Sequence, residues 1–169
     1  MKLAIVSDSH DNIPNIDKML AYVKNEGIKV MLHLGDVCAP SVLEYLAEKF
    51  LGEIYLVFGN VDGDREKMQE LSKYFKNIHL LGEEGQPEIK DLNLKIGMVH
   101  YPVRAKKMAA SGSYSVVFYG HDHKPWEETI NQAKIINPGT LAGLFALATF
   151  AVYDTDVNKA ELKILQQLK

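Results

Sequence analysis

The chain has 169 residues, of which 47% are apolar and 24% charged, with a formal net charge of −3. That length suits one domain, 1–169, with a sizeable core, and that charge gives no electrostatic footprint for nucleic acid or an anionic membrane. The single cysteine, Cys38, excludes an intrachain disulfide and fits a reducing compartment. The first residues lack the pattern of a secretory signal. The apolar stretch from Leu141 to Tyr153 contains Gly143 and Thr149 and is too short to cross a bilayer. A cytoplasmic, soluble protein is the expectation.

In chain order, residues 2–7 read as a fully buried strand. A helix over 13–25 follows, with Asn12 as cap, Pro14 in its first turn, an apolar stripe of Ile16, Met19, Leu20 and Val23, and Gly27 to close it. Residues 28–34 form a second strand ending in Gly35-Asp36. Ser41-x-x-Glu44 reads as a capping box that opens a helix through Phe50. Residues 53–58 form a third strand, ending in Gly59-Asn60-Val61-Asp62-Gly63, and a polar helix runs over 64–74.

The pattern then changes. Short strands are expected at 78–81, 87–92 and 94–99, a helix at 103–111, and a buried strand at 115–119 ending in Gly120-His121-Asp122-His123. The remainder reads as strands at 126–131, 133–136, 144–153 and 160–166, with a turn at Asn137-Pro138-Gly139. Alternating βα units imply a parallel core with right-handed crossovers. The later strands imply a second sheet packed on the first, with helices outside.

Five strand ends carry the same kind of side chain: Asp8-x-His10, Gly35-Asp36, Gly59-Asn60, His100, and Gly120-His121-x-His123. Singly, each has an ordinary structural reading. Asp8 could cap a helix, Asn60 and Asp62 favour turns, and His100 could be a loop histidine. In open α/β sheets, however, ligands bind outside the carboxyl ends of the strands. Carboxylate, amide oxygen and imidazole together suit divalent Mn, Fe, Zn, Co or Ni, and no thiolate set is present. Seven protein ligands are too many for one catalytic ion with open positions. They suit two ions that share a bridging carboxylate, an arrangement that can clamp an in-line phosphoryl displacement. Glycine before three of these groups permits close backbone approach.

This set, with Gly59-Asn60-x-Asp62 and Asn137-Pro138-Gly139, resembles the calcineurin-like metallophosphoesterase superfamily, in its small prokaryotic phosphodiesterase branch, across nearly the whole chain. That branch is related to the retromer subunit of the same fold. The resemblance implies a four-layer α/β/β/α sandwich, with two packed mixed sheets and helices on the outer faces. It implies that Asp8, His10 and His123 hold one ion, that Asn60, His100 and His121 hold the other, and that Asp36 bridges them. Asp36, Asn60, His100 and Asp62 would then be the catalytic residues. Asp62 would orient a neighbouring group or hold the turn. The implied reaction is hydrolysis of a phosphate ester, a diester above all, by in-line attack of a hydroxide between the ions. Mn is the first metal expected, with Ni, Co, Fe or Zn as alternatives. The implied partner is a small phosphate-ester substrate, with a nucleotide-like diester as one possibility.

Two departures from the family pattern stand out. Val61 occupies the place where many members have His after the Asn, and His100-Tyr101-Pro102 replaces a His-Gly-His. Both remove imidazoles near the substrate and leave the ligands intact, so good leaving groups should be favoured. A non-catalytic protein-binding scaffold on this fold is the alternative reading. His33 and His79 read as structural, and Cys38 as a small filler near the site. Tyr101, Arg104 and Lys107 could meet substrate or face solvent; Phe145, Phe150 and Tyr153 read as core or interface. The β-rich second half leaves sheet edges through which a homo-oligomer could form.

Overall fold

A computed structural model describes residues 1–168. The first half is four parallel strands joined by three helices: β1 (Lys2–Val6), α1 (Ile13–Asn25), β2 (Val30–His33), α2 (Pro40–Lys49), β3 (Glu53–Leu56), α3 (Arg65–Tyr74) and β4 (Ile78–Leu80). The second half supplies β5 (Glu84–Gly85), β6 (Ile96–Val99), α4 (Pro102–Ala110), β7 (Val116–Phe118), β8 (Trp126–Ile130), β9 (Ala133–Asn137), β10 (Thr149–Asp154) and β11 (Lys159–Ile164). The first sheet runs β11-β10-β1-β2-β3-β4 and the second β5-β6-β7-β9-β8.

Both sheets are mixed. β10 and β11 return antiparallel beside β1, and β5 and β8 close the edges of the second sheet antiparallel. The last two strands therefore extend the first sheet, although their position in the chain suggested the second. The register is set by burial: Lys2 pairs with Asp154 and Ile5 with Ala151, which places Leu3, Ile5, Ala151 and Tyr153 together in the core between the sheets.

Side-chain alternation produces the layers. Ala4, Val6, Met31, Ile54 and Leu56 pack against Ile16, Met19, Leu43 and Leu46 of α1 and α2. Leu3, Ile5, Leu32, Tyr55 and Val57 point the other way and meet Ile96, Met98, Val116 and Phe118 of the second sheet. Val99, Val117, Tyr119 and Ile135 form a third layer of contacts with Ala105 and Ala109 of α4. Three separate apolar layers require four stacked layers of structure, the α/β/β/α sandwich. Phe118 meets Tyr153 edge to face across the central gap, with ring centroids 5.1 Å apart.

Three local expectations fail. The side chain of Ser41 caps nothing: α2 starts at Pro40 with Ala39 at the N-cap and no side-chain bond there, because proline has no N–H to satisfy. Residues 87–92 form no strand; their alternation packs Ile89 and Leu92 beneath the inter-sheet core as a loop. Residues 144–148 are also loop, and β10 begins only at Thr149. α1 keeps its expected cap, Asn12, and α3 begins one residue later than expected, with Asp64 as its cap; each side chain accepts a backbone N–H three residues on.

Candidate metal centre

The carboxyl ends of β1, β2, β3, β6 and β7 meet at one end of the sandwich, and all seven candidate ligands project there. His123 Nε2 lies 3.2 Å from Asp8 Oδ1 and 3.3 Å from His10 Nε2. Asp36 Oδ2 lies 3.9 Å from His10 Nε2 and 3.4 Å from His100 Nε2. Asn60 Oδ1 stands 3.1 Å from His100 Nε2 and 3.0 Å from His121 Nδ1. Two sets of possible donor atoms each fall within 4.8 Å: Asp8, His10 and His123, and Asp8, Asp36 and His100. Asp8 is common to both sets, and Asp36 Oδ2 lies between the imidazoles of His10 and His100.

The backbone carries strain at these points. Asp8, His10, Asp36, His121 and His123 all have positive φ, between 40° and 75°. Such conformations cluster where the surroundings over-determine them, and they aim side chains that a regular strand would direct elsewhere. Close approach adds a second constraint. A Cβ on Gly59 would sit 2.0 Å from Asp36 Oδ1, and one on Gly120 would sit 1.9 Å from Ser7 Oγ and 2.8 Å from Asp8 Oδ2. Only glycine lets these backbones pass the two carboxylates.

Polar braces fix the turns. Asp62 is buried and accepts three backbone N–H bonds: Gly59 at 2.7 Å, Asp36 at 2.9 Å and Cys38 at 2.9 Å. It points at the loops after β2 and β3, and its role is to lock them together. Val61 N–H donates to Asp36 Oδ1 at 3.0 Å. His100 Nδ1 lies 2.7 Å from the Leu34 carbonyl, which leaves its Nε2 for the cleft. Arg65 donates to the Gly59 carbonyl at 2.7 Å. Asn137, buried, donates to the Gly120 carbonyl at 3.2 Å and steadies the turn that carries His121 and His123. Sequence reading missed these braces, apart from Asp62, because their partners are backbone atoms distant in sequence.

Burial pushes the Asp8 carboxyl above its ordinary range, and the facing imidazoles and the His121 N–H oppose this without overcoming it. Burial also raises Asp36, but His100, the Val61 N–H and His10 together outweigh it and hold that carboxyl low. Burial would lower His100; Asp36, Asp8 and the Leu34 carbonyl raise it instead. His33 is fully buried against Ser9 Oγ at 3.0 Å, and desolvation pushes it down to about 4. It is a neutral core residue.

The donor set fits divalent cations. Asp8 Oδ1 is buried and makes no hydrogen bond, while the imidazole nitrogens of His10 and His123 converge on it. A bare buried carboxylate oxygen is costly unless a cation meets it. Oxygen and imidazole donors suit borderline-to-hard ions.

The remaining candidates fall outside this cluster. Tyr101 packs edge-on against His100 and His121, with centroids 5.2 and 4.9 Å away. Arg104 lies on exposed α4, 3.8 Å from Glu84. His79 pairs with Glu53 and stacks on Tyr55. Cys38 Sγ is 3.5 Å from His10 Nδ1, and burial raises its thiol to about 12, so it carries no thiolate nucleophile. Phe150 and Tyr153 are core, whereas Phe145 is 99% exposed. A cavity of about 600 Å³ near Tyr55 and His79 lies at the amino ends of β1 to β3, opposite the cluster.

Residues 1–158 match the calcineurin-like phosphoesterase superfamily domain. The chain is 32% identical over 167 residues to phosphodiesterase MJ0936 of Methanocaldococcus jannaschii, covering 98% of this chain and 100% of that one. Among solved structures, an archaeal phosphodiesterase superposes with a TM-score of 0.87 at 29% identity, over 97% of this chain and 99% of that one. Zinc-complexed Vps29 of Entamoeba histolytica shares the fold, with a TM-score of 0.63 at 17% identity, over 98% of this chain and 99% of that one. Fold, converging ligand types and whole-chain similarity agree, and the chain belongs to the calcineurin-like phosphoesterase superfamily.

Proposed function

We propose that the protein is a single-domain phosphodiesterase dependent on two divalent metal ions. Asp8, His10 and His123 hold one ion, Asn60, His100 and His121 the other, and Asp36 serves both. The observation that carries this reading is the position of Asp36 Oδ2 between the imidazoles of His10 and His100, with unpartnered Asp8 Oδ1 facing the same cleft. The similarity to a named phosphodiesterase supports a phosphate diester as substrate. Manganese is the proposed metal, and the cytoplasm the proposed compartment. No helix among the described residues is long and apolar enough to cross a membrane.

When bound, such ions supply a water acidic enough to attack at neutral pH, and positive charge against the phosphoryl oxygens. The chain's own contribution is positional. The Val61 N–H and the Asp62 brace fix Asp36, and the Leu34 carbonyl fixes the His100 ring. Val61 is 44% exposed and offers no proton, so the leaving group departs without a protein acid at this position. Diesters with acidic leaving groups are the favoured substrates.

The test is reconstitution. Metal-stripped protein receives Mn, Ni, Co, Zn or Mg singly and is assayed on bis(p-nitrophenyl) phosphate beside p-nitrophenyl phosphate, with bound metal counted. Diester hydrolysis with two ions per chain is expected. Inactivity with every metal together with fewer than two bound ions would leave the scaffold reading in its place.

A further inference from the structure

Residues 141–148 run past the ligand cluster as a loop free of charged side chains. Its first end is fastened to the segment that carries Asp8, and its two ends to each other. Leu141 N–H donates to the Ser7 carbonyl at 2.9 Å and Ala142 N–H to the Asp8 carbonyl at 3.0 Å; Thr149 N–H returns to the Thr140 carbonyl at 2.8 Å. From α1, Asn15 donates to the carbonyls of Leu141 and Ala142 at 2.9 and 3.1 Å. At its tip the Leu144 carbonyl lies 3.2 Å from His123 Nδ1, which leaves His123 Nε2 for the cluster.

The next residue is Phe145. Its φ is +61°, a conformation that a bulky side chain rarely adopts, and its side chain is 99% exposed. Its ring lies nearly parallel to that of His123, at 24° and 6.3 Å between centroids, and its exposure leaves it open to solvent. Leu144 and Leu147 beside it are also exposed, at 42% and 59%. Nothing in the protein's own packing accounts for an aromatic ring held in a strained conformation at the lip of a polar cluster. Such outliers point to use. Lys134, the nearest cation in sequence, pairs with Glu127 at 3.1 Å, and Lys124 lines a separate cavity of about 450 Å³ with Lys106 and Trp126. The lip of the cleft at Phe145, with Leu144 and Leu147 beside it, offers an apolar surface.

Resting on the phosphodiesterase reading, we propose that Phe145 is a specificity-determining residue. It stacks against a planar aromatic or heteroaromatic group, a nucleobase among them, carried on the ester oxygen that stays with phosphorus. Every base or aryl group has a π-face, so a single exposed ring selects planar groups over alkyl groups without reading their edges. The substrate class is thus an aryl- or nucleoside-bearing phosphate ester rather than a dialkyl phosphate.

The test separates this proposal from the reading beneath it. Phenylphosphonate and methylphosphonate, which the enzyme cannot hydrolyse, are titrated calorimetrically into wild type, Phe145→Ala and Phe145→Trp, each reconstituted with an ion of the Mn, Ni, Co, Zn series that binds. Wild type should bind the phenyl compound about tenfold more tightly than the methyl one. Phe145→Ala should bring that ratio close to one, and Phe145→Trp should keep it. Bound metal and melting temperature check that the Ala variant is intact. In parallel, phenyl and ethyl p-nitrophenyl phosphate share one leaving group, and their KM ratio should follow the binding ratio. An unchanged ratio in Phe145→Ala overturns the proposal, as does an equal loss for both phosphonates. A change in oligomeric state with the ratio preserved would assign Phe145 to self-association instead. Failure of wild type to hydrolyse either diester sinks the phosphodiesterase reading, while calorimetry still decides Phe145.

Discussion

Asp62 Oδ2 accepts the backbone N–H of Asp36 at 2.9 Å, so one carboxylate fixes the peptide from which the other projects into the cleft. The same Asp62 oxygen takes the Gly59 N–H, and its second oxygen takes the Cys38 N–H. Three charge-assisted bonds to buried backbone make Asp62 a structural brace first. Asp62→Asn would keep two of them and turn an amide donor toward the third N–H. A loss of about 2–3 kcal/mol is expected, because a buried donor is left facing a donor. Urea unfolding of the metal-free protein measures it. If Asp62 acted only on substrate, stability would hold while turnover fell.

Val61 takes the place of the imidazole that the family pattern led us to expect, and its side chain is exposed, with its N–H on Asp36. Val61→His should raise turnover of alkyl-leaving-group esters by about a hundredfold, the lower range for a positioned general acid. Turnover of p-nitrophenyl esters should change little, since p-nitrophenolate leaves without protonation. Steady-state rates on matched ethyl and p-nitrophenyl esters decide it. Equal gains on both, or none on either, would show that leaving-group protonation is not what Val61 omits.

Gly120 passes Asp8 with no room for a methyl group. Gly120→Ala must displace Ser7 Oγ or the Asp8 carboxylate. We expect stability to fall by about 1–3 kcal/mol from overpacking, and metal affinity to fall roughly 10- to 100-fold through the displaced ligand. Thermal unfolding and competitive chelator titration read the two effects separately. A variant with native affinity and stability would show that the strand ends yield more easily than their packing implies.

His33 gives a pH signature. Its pKa is depressed to about 4 by burial, from an ordinary 6.5, so the unfolded chain binds a proton that the folded chain refuses. Stability therefore falls as pH drops from about 6.5 toward about 4, and the loss reaches about 3 kcal/mol at the bottom of that window. His33→Gln should lack this component, so the stability difference between variant and wild type should shift toward the variant across the window. Urea unfolding from pH 7 to pH 4 on metal-free samples tests the sign. A constant difference would mean that His33 takes up its proton inside the fold.

Much of the architecture was legible because burial on both faces writes a strand as a continuous apolar run. Leu3 to Val6 and Val116 to Phe118 are such runs, each ending shortly before its metal-type side chain, Asp8 or His121. The βα alternation of the first half follows from the same punctuation. The run from Leu141 to Ala148 has the same apolar character but a different cause. It is a tethered loop whose side chains are partly buried in the apolar layer beneath α1 and α2 and partly open to solvent, and composition does not distinguish that from a strand. The return of β10 and β11 to the first sheet was equally hidden, because sheet membership depends on partners some 150 residues away. In the cleft, ligand types announced themselves by chemistry. Most of the braces did not: the Val61 N–H, the Gly59 carbonyl and the Leu34 carbonyl are backbone groups, which every residue possesses.

β1 lies between β2, its neighbour in sequence, and β10, which begins at Thr149. The strand that leads to Asp8 is made before β10 and cannot complete both of its ladders until that strand has emerged. Contacts of such long sequence separation slow folding. A truncated or nascent chain would have its acidic turns without the histidines that face them, and β1 would present an unpaired apolar edge. Assembly of the cleft is therefore a late event in the life of each molecule, and loss of the final strands should expose β1 to aggregation before it affects chemistry.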